Sequence, residues 1–511
     1  MKIQLTLLLL CFNLLVFGQN PLLNLTNGKI EGTYNSDKTV RSFKAVPYAA
    51  PPVGERRWRA PQPVRDWSGI RNCTVYAASA MQPKPVPFMC WSEEFIAPPE
   101  PLSEDCLYLN IWTSVKEKAD KKERMPVFVW IHGGALTSGG ASCAVYDGEA
   151  MAQKGVVYVS INYRLGVFGF MAHTELTKES GHNASGNYGF LDQIEALKWI
   201  QKNISTFGGD PKNVTIAGQS AGSFSVNALV ASPLARGLFD RAIAESGALF
   251  SNRLSKTLED AETQGDLLMQ RCLAKSIAEL RKKPAEEVLK ISNGNGMDRF
   301  GAIMDGYVLP TNLIAHFENG KHNDVPLLTG WVTGDGALMG NPKITADKFK
   351  NDAKEKYGEK AEDFLKIFTA NTDEEATASQ TRLAMCQFAA FPSHLWAGFN
   401  KKNKSYLYQF SHVPPDKPNF PNYGAFHTSE VPYALHTLAH WKRDWQKTDF
   451  DLEKTMSDYW VNFAKTGNPN GEGLPEWKSY DKESSSIMEL GDKVVLQSGV
   501  FKNVFEFLEK K

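Results

Sequence analysis

Short runs of uninterrupted apolar residues recur through the middle of this chain, each closed by a glycine or a turn. Val127-Phe128-Val129-Trp130-Ile131 is the first, Val156-Val157-Tyr158-Val159-Ser160-Ile161 the second and Val214-Thr215-Ile216-Ala217 the third. Runs this short, rich in β-branched and aromatic residues and without polar alternation, are what a strand buried on both faces requires. Between the second and third, Leu191, Ile194, Leu197 and Ile200 recur at helical spacing, which predicts a helix from about Leu191 to Ile204. Further strands are predicted at Arg241–Ala244, Val325–Thr329 and Tyr406–Phe410. Helical patterns dominate residues 257–291 and 346–400. Within the first of these, Ser276-Ile277-Ala278-Glu279 has capping-box spacing and Pro284 suits a first helical turn. The alternation predicts an α/β fold with a large, mostly parallel central sheet flanked by helices. No linker separates the two helical stretches from that sheet, so they are read as insertions roofing one domain.

Composition narrows the function without naming it. The 511 residues carry a formal net charge of zero with 22% charged residues, so no basic field for nucleic acid and no acidic field for cationic partners is expected. Residues 1–19 read as a signal peptide: Lys2, then an apolar core from Leu5 to Phe17, then Gly18-Gln19. The expectation is a secreted or periplasmic protein, with a single domain at 20–511 and no membrane span. Of seven cysteines, six remain after the leader, and none has the C-x-x-C spacing of a zinc site. No metal or organic cofactor is expected. Export permits disulfides; Cys90 and Cys106, which bracket a Pro-rich loop, are the first candidate pair, with Cys73 as competitor. Cys143, Cys272 and Cys386 are expected to be buried thiols. The charge run at 116–124 is read as a solvated turn.

The chemistry concentrates at Gly218-Gln219-Ser220-Ala221-Gly222. This G-x-S-x-G follows the strand at Val214–Ala217 and precedes a helical pattern through Ser225–Leu229, the strand–turn–helix setting of a nucleophile elbow. Ester hydrolysis also needs donors for a tetrahedral oxyanion. The backbone N–H of Ala221 is one candidate. His132-Gly133-Gly134-Ala135, leaving the strand that ends at Ile131, supplies Gly133, Gly134 and Ala135, with His132 read as a loop-ordering residue.

Those motifs sit within longer stretches that resemble the type-B carboxylesterase family, which also contains cholinesterases and large fungal lipases. The stretches are Phe43–Pro61, Ser103–Trp112, Gly186–Gly222 and Trp460–Trp477. The resemblance implies an α/β-hydrolase fold and an esterase acting through an acyl-enzyme on a small-molecule ester. It assigns Ser220 as nucleophile, Asp335 as acid and His427 as general base, in the chain order of that fold. Most relatives place Glu where this chain has Asp335; Glu430 and Asp324 are alternatives for the acid. Activity is expected to rise with pH as His427 loses its proton. The resemblance makes Arg57–Glu104 and Arg164–Asp192 buried ion pairs and Ser246 a serine supporting the triad.

Cholinesterases carry Glu immediately before the nucleophile, whereas this chain has neutral Gln219, so a cholinesterase role is not expected. Relatives that became adhesion proteins lost the nucleophile, and Ser220 is retained. Lipase and feruloyl or acetyl esterase activities remain alternatives. The Pro-rich loop 83–101, with Phe88, Trp91, Phe95 and Ile96, is either a mobile lid or a fixed rim. Trp331, Phe388, Phe391 and Phe426 are candidate pocket aromatics.

Overall fold

The computed structural model describes residues 20–115, 124–250, 255–339, 343–420 and 422–510. The leader read at 1–19 and all but the last residue of the charge run at 116–124 lie outside these. One eleven-stranded sheet dominates. Its strands, in chain order, are Thr33–Tyr34 (β1), Val40–Pro47 (β2), Tyr108–Ser114 (β3), Met125–Ile131 (β4), Val157–Ile161 (β5), Gly209–Gln219 (β6), Arg241–Glu245 (β7), Leu327–Val332 (β8), Ser405–Phe410 (β9), Ile487–Leu490 (β10) and Val494–Gln497 (β11). Across the sheet they run β11-β10-β9-β8-β7-β6-β4-β5-β3-β2-β1. The block from β10 to β5 is parallel throughout, and antiparallel strands finish both edges.

The apolar runs read from the sequence are these parallel strands, and their period of two divides the core. Val127, Val129, Ile131, Val159 and Ile216 enter one hydrophobic cluster; Phe128, Trp130, Tyr158 and Ala217, one residue out of phase, enter a second. Alternate side chains of a strand point to opposite faces, so a sheet covered on both sides needs apolar residues at every position. Helices Tyr188–Asn203 (α1) and Ala221–Ala231 (α2) cover the first face through Ile194, Leu197, Ile200, Val226 and Leu229. Helix Lys447–Thr466 (α3) covers the second through Leu452, Met456, Trp460 and Phe463. Helix α1 begins three residues before its predicted start, directly after Asn187, whose φ of 49° turns the chain into it.

The two helical insertions are present as short helices, among them Leu258–Arg271, Ala285–Ser292, Ala346–Tyr357, Asp373–Met385 and Phe391–Phe399. Ser276 caps helix Ile277–Arg281 by accepting from the Glu279 N–H at 3.2 Å. Pro284 stands one residue before its helix rather than inside the first turn. Both anticipated ion pairs form: Arg57 meets Glu104 at 2.5 Å, and Arg164 meets Asp192 at 2.6 Å with both side chains buried. Among the described residues no helix is long and apolar enough to cross a membrane.

The cysteine pairing is corrected. Cys73, Cys90 and Cys106 are free, buried thiols, as are Cys143, Cys272 and Cys386. Cys106 packs in the first hydrophobic cluster and Cys90 in the second, so the two thiols belong to different parts of the core. Burial pushes the Cys90 thiol up to about 12, which leaves it an inert packing group.

Candidate active site

Residues from the carboxyl ends of four parallel strands converge at one place. Ser220 stands between β6 and α2 with φ 59° and ψ −122°, a conformation costly for any residue with a side chain. Its N–H donates to the Glu245 carbonyl at 2.8 Å and its own carbonyl accepts from the Phe224 N–H at 2.9 Å, so both neighbours hold the turn. The flanking glycines are required by close approach: a Cβ on Gly218 would lie 2.6 Å from the Gly222 backbone, and one on Gly222 only 2.0 Å from the Ile131 oxygen.

The glycine loop after β4 lies against this elbow. A Cβ on Gly133 would meet the Gln219 oxygen at 2.7 Å and the Ser220 Cβ at 3.2 Å. Gly134 (φ 107°), Ala135 (57°) and Leu136 (61°) turn the backbone successively into positive φ. The N–H groups of Gly133, Gly134, Ala135 and Ala221 donate to no other group among the described residues. His132 orders the loop. Its Nδ1 lies 2.8 Å from the Gly133 oxygen, its ring stacks on Tyr163, and the Tyr163 hydroxyl donates to its carbonyl at 2.8 Å. Burial pulls its imidazole down to about 4, so it stays neutral.

Asp335 follows β8 and His427 follows β9, and the two meet: Nδ1 of His427 is 2.6 Å from Asp335 Oδ1, with both side chains nearly inaccessible. Asp335 Oδ2 accepts from the Val332 N–H at 3.1 Å, which fixes the carboxylate and leaves Oδ1 for the imidazole. Of the alternative acids, Glu430 instead accepts from the Ser246 hydroxyl at 3.3 Å, and Asp324 caps backbone N–H groups at Lys401 and Lys402. Ser246 therefore touches Glu430 rather than Asp335 or His427.

Two arrangements were not anticipated from sequence, although Gln219 and Glu430 were each named there. The Gln219 amide nitrogen lies 3.3 Å from Nδ1 and 3.2 Å from Nε2 of His427. Distances this even to both ring nitrogens mean that the amide is in line with neither lone pair. The Ser220 hydroxyl makes no hydrogen bond among the described residues, and catalytic hydrogen bonds often tighten only with substrate bound. The second feature is a buried acid pair beneath the site. Glu245 accepts from the Trp460 indole at 2.8 Å. Burial raises Glu245 to about 8 and, with the neighbouring Glu245 and Asp335 charges, raises Glu430 well above the carboxylate range. The Oε2 atoms of both are buried and unpartnered, the positions retained protons would occupy. An acidic residue in an otherwise apolar strand end, Ala242-Ile243-Ala244-Glu245, was the available signal.

His427 borders a cleft lined by Met89, Cys90, Trp91, Gly334, Ala337, Tyr423 and Phe426. Trp91 and Phe388 approach the imidazole edge-on, at 6.4 and 5.6 Å between ring centres. Trp331 and Phe391 are elsewhere, packed on Phe501 and His394. The Pro-rich loop is fastened to its surroundings from Trp91 to Phe95. The Trp91 indole donates to Thr428 Oγ1 at 2.9 Å, Phe95 packs on Phe426 and Trp441, and Lys417 bridges Glu93 and Glu94.

A parallel sheet in this strand order, with a strained serine at the β6–α2 elbow and a buried His–Asp pair on the next loops, defines an α/β-hydrolase. The chain belongs to the carboxylesterase family, whose sequence profile matches residues 19–508. It is 34% identical to a fumonisin B1 esterase of Sphingopyxis macrogoltabida, over 92% of this chain and 86% of that protein. It is 32% identical to human cocaine esterase, over 93% and 89%. Among solved structures, a PNB esterase superposes with a TM-score of 0.80 at 30% identity, covering 96% of this chain and all of that one. The chain is accordingly a carboxylic ester hydrolase.

Proposed function

We propose that this enzyme cleaves small-molecule carboxylic esters through an acyl-enzyme on Ser220. The observation that carries the reading is the buried 2.6 Å His427–Asp335 contact beside the Ser220 elbow. Asp335 holds the proton on Nδ1, leaving the Nε2 lone pair to accept the Ser220 proton as Oγ attacks the ester carbonyl. Gln219 lies in line with neither ring nitrogen and so leaves that in-plane lone pair open. The carbonyl oxygen becomes an oxyanion within reach of the free N–H groups of the Gly133–Ala135 loop and of Ala221, where the N-terminus of α2 adds a favourable field. His427 then returns its proton to the departing alkoxide; water, activated by the same imidazole, releases the acid and restores Ser220.

The charge of the site favours neutral esters. Gln219 replaces an acid, and Glu245 and Glu430 hold their protons near neutrality, which leaves Asp335 as the formal charge against the imidazole. Aromatic and aliphatic cleft walls suit an apolar alcohol or acyl group. The pinned rim favours an open carboxylesterase over a lipase whose lid must move. The reading of residues 1–19 as a leader makes the enzyme an exported one, and N-terminal sequencing of the native protein should begin near Gln19 or Asn20. Stoichiometric labelling by an organophosphate tests the mechanism: one equivalent on Ser220, lost in Ser220→Ala, is expected. Folded protein that resists labelling would rule it out.

A further inference from the structure

Thr428, the residue after His427, occupies a backbone position that its side chain resists. The Ser429 N–H donates to the Phe426 carbonyl at 2.9 Å, closing a β-turn with His427 at its second position and Thr428 at its third. Thr428 has φ 85° and His427 is not in the positive-φ region, the signature of a type II turn. That third position ordinarily takes Gly, because a side chain there is strained and a β-branched one most of all. Something must offset the strain, and one contact of the side chain does: Thr428 Oγ1 accepts the Trp91 indole N–H at 2.9 Å.

Trp91 is itself fixed. Phe88 and Trp91 exchange backbone hydrogen bonds at 3.1 and 2.9 Å, and their rings lie 4.8 Å apart. The tight turn they close presents Met89, 40% exposed, at the cleft. The Trp91 ring also stands edge-on to the imidazole. The rim thus grips His427 twice, through the ring and through the peptide unit that carries it.

We propose that Trp91 and Thr428 are a positioning pair for His427, and that they make the Phe88–Trp91 turn part of the reacting site. An ester whose apolar portion rests on Met89 and Trp91 then bears on the catalytic imidazole through this hydrogen bond. The proposal rests on His427 being the general base. It explains why a strained threonine stands where glycine would be free of strain: glycine would relax the turn and release the rim.

The test uses Thr428→Val, which keeps the shape and removes the hydroxyl, Thr428→Ser, which restores it, Trp91→Phe, and the double variant Trp91→Phe/Thr428→Val. Thr428→Gly is added to relieve the strain. Kinetics on p-nitrophenyl acetate and p-nitrophenyl hexanoate are read with the melting temperature and organophosphate labelling of Ser220. We expect Thr428→Val and Trp91→Phe each to lose about tenfold in kcat, more on the hexanoate, with KM within about twofold. Thr428→Ser should recover most of the loss, and the double variant should be no worse than either single. Thr428→Gly should melt no lower than the parent yet lose kcat, a combination a purely structural threonine would not produce. Singles within twofold of the parent, or losses that multiply in the double, would overturn the pairing. A parent enzyme that fails to label at Ser220 would instead overturn the mechanism beneath it. If Thr428→Val does not fold, Trp91→Phe and Thr428→Ser decide.

Discussion

Replacing Asp335 by Asn isolates what the carboxylate does. Asp335 accepts twice, from His427 Nδ1 at 2.6 Å and from the Val332 N–H at 3.1 Å. Asparagine offers one acceptor oxygen and an NH₂. If that oxygen stays on Val332, the NH₂ faces Nδ1, and the imidazole must carry its proton on Nε2, where it cannot accept from Ser220. If the oxygen turns to His427, two buried donors face each other at Val332, at a cost of about 1–3 kcal/mol. The first arrangement satisfies every group by a change of tautomer, so it prevails. A base held in the wrong tautomer costs about 10⁴ in kcat in serine hydrolases, about 5 kcal/mol of barrier. Folding should be nearly unaffected, since each hydrogen bond survives in altered polarity. The assay is kcat and kcat/KM for a p-nitrophenyl ester, with the melting temperature of the same preparation. An Asp335→Asn variant within tenfold of the parent in kcat would refute the assigned role. A large loss accompanied by a large fall in melting temperature would show the reasoning about the fold to be wrong.

Three other substitutions probe the imidazole's surroundings, the buried acid and the elbow. Gln219→Glu places a carboxylate beside the imidazole and favours its protonated form, so the acid limb of the kcat/KM profile should move about one unit to higher pH; an unmoved limb would show that this side chain does not govern the imidazole. Burial raises Glu245 from 4.5 to about 8, so the folded state holds a proton the unfolded chain releases. Stability from this group is therefore lost as pH rises from about 4.5 to about 8. Glu245→Gln keeps an acceptor for Trp460 and removes that loss, so its gain in melting temperature should grow between pH 5 and pH 8.5. A gain independent of pH would contradict a retained proton. At Gly222 an added methyl would sit 2.0 Å from the Ile131 oxygen, against the Ile131–His132 backbone, so Gly222→Ala should cost more than about 4 kcal/mol and yield little soluble enzyme; soluble protein with the parent's melting temperature would refute the close approach.

The central strands and the elbow were legible because their signals are local. A run such as Val127–Ile131 is apolar at every position only when both faces are covered, and the elbow announces itself by two glycines that backbone contacts demand. The long-range parts were less legible. No run of residues reports that Asp335 and His427 meet, since they are brought together by two loops after adjacent strands; the family resemblance, not spacing, suggested the pair. The Cys90–Cys106 pairing failed because closeness in sequence around a loop says nothing about which side of the sheet each thiol enters. Trp331 and Phe391 look like pocket aromatics in sequence and are packing residues in space. Gln219 was read by its missing charge, while its position beside the imidazole depends on a loop more than two hundred residues away. Thr428 carried a signal in its own turn, a β-branched residue in a glycine position, which only the backbone angle makes visible.

A covalent acyl intermediate on Ser220 should be visible in rapid-quench kinetics with a p-nitrophenyl ester. The first turnover should release a burst of about one p-nitrophenol per active site, with the acyl group recovered by peptide mass spectrometry on the segment bearing Ser220 and absent in Ser220→Ala. Linear release from the first turnover, with no acyl group on that peptide even when deacylation is slowed at low pH, would contradict it.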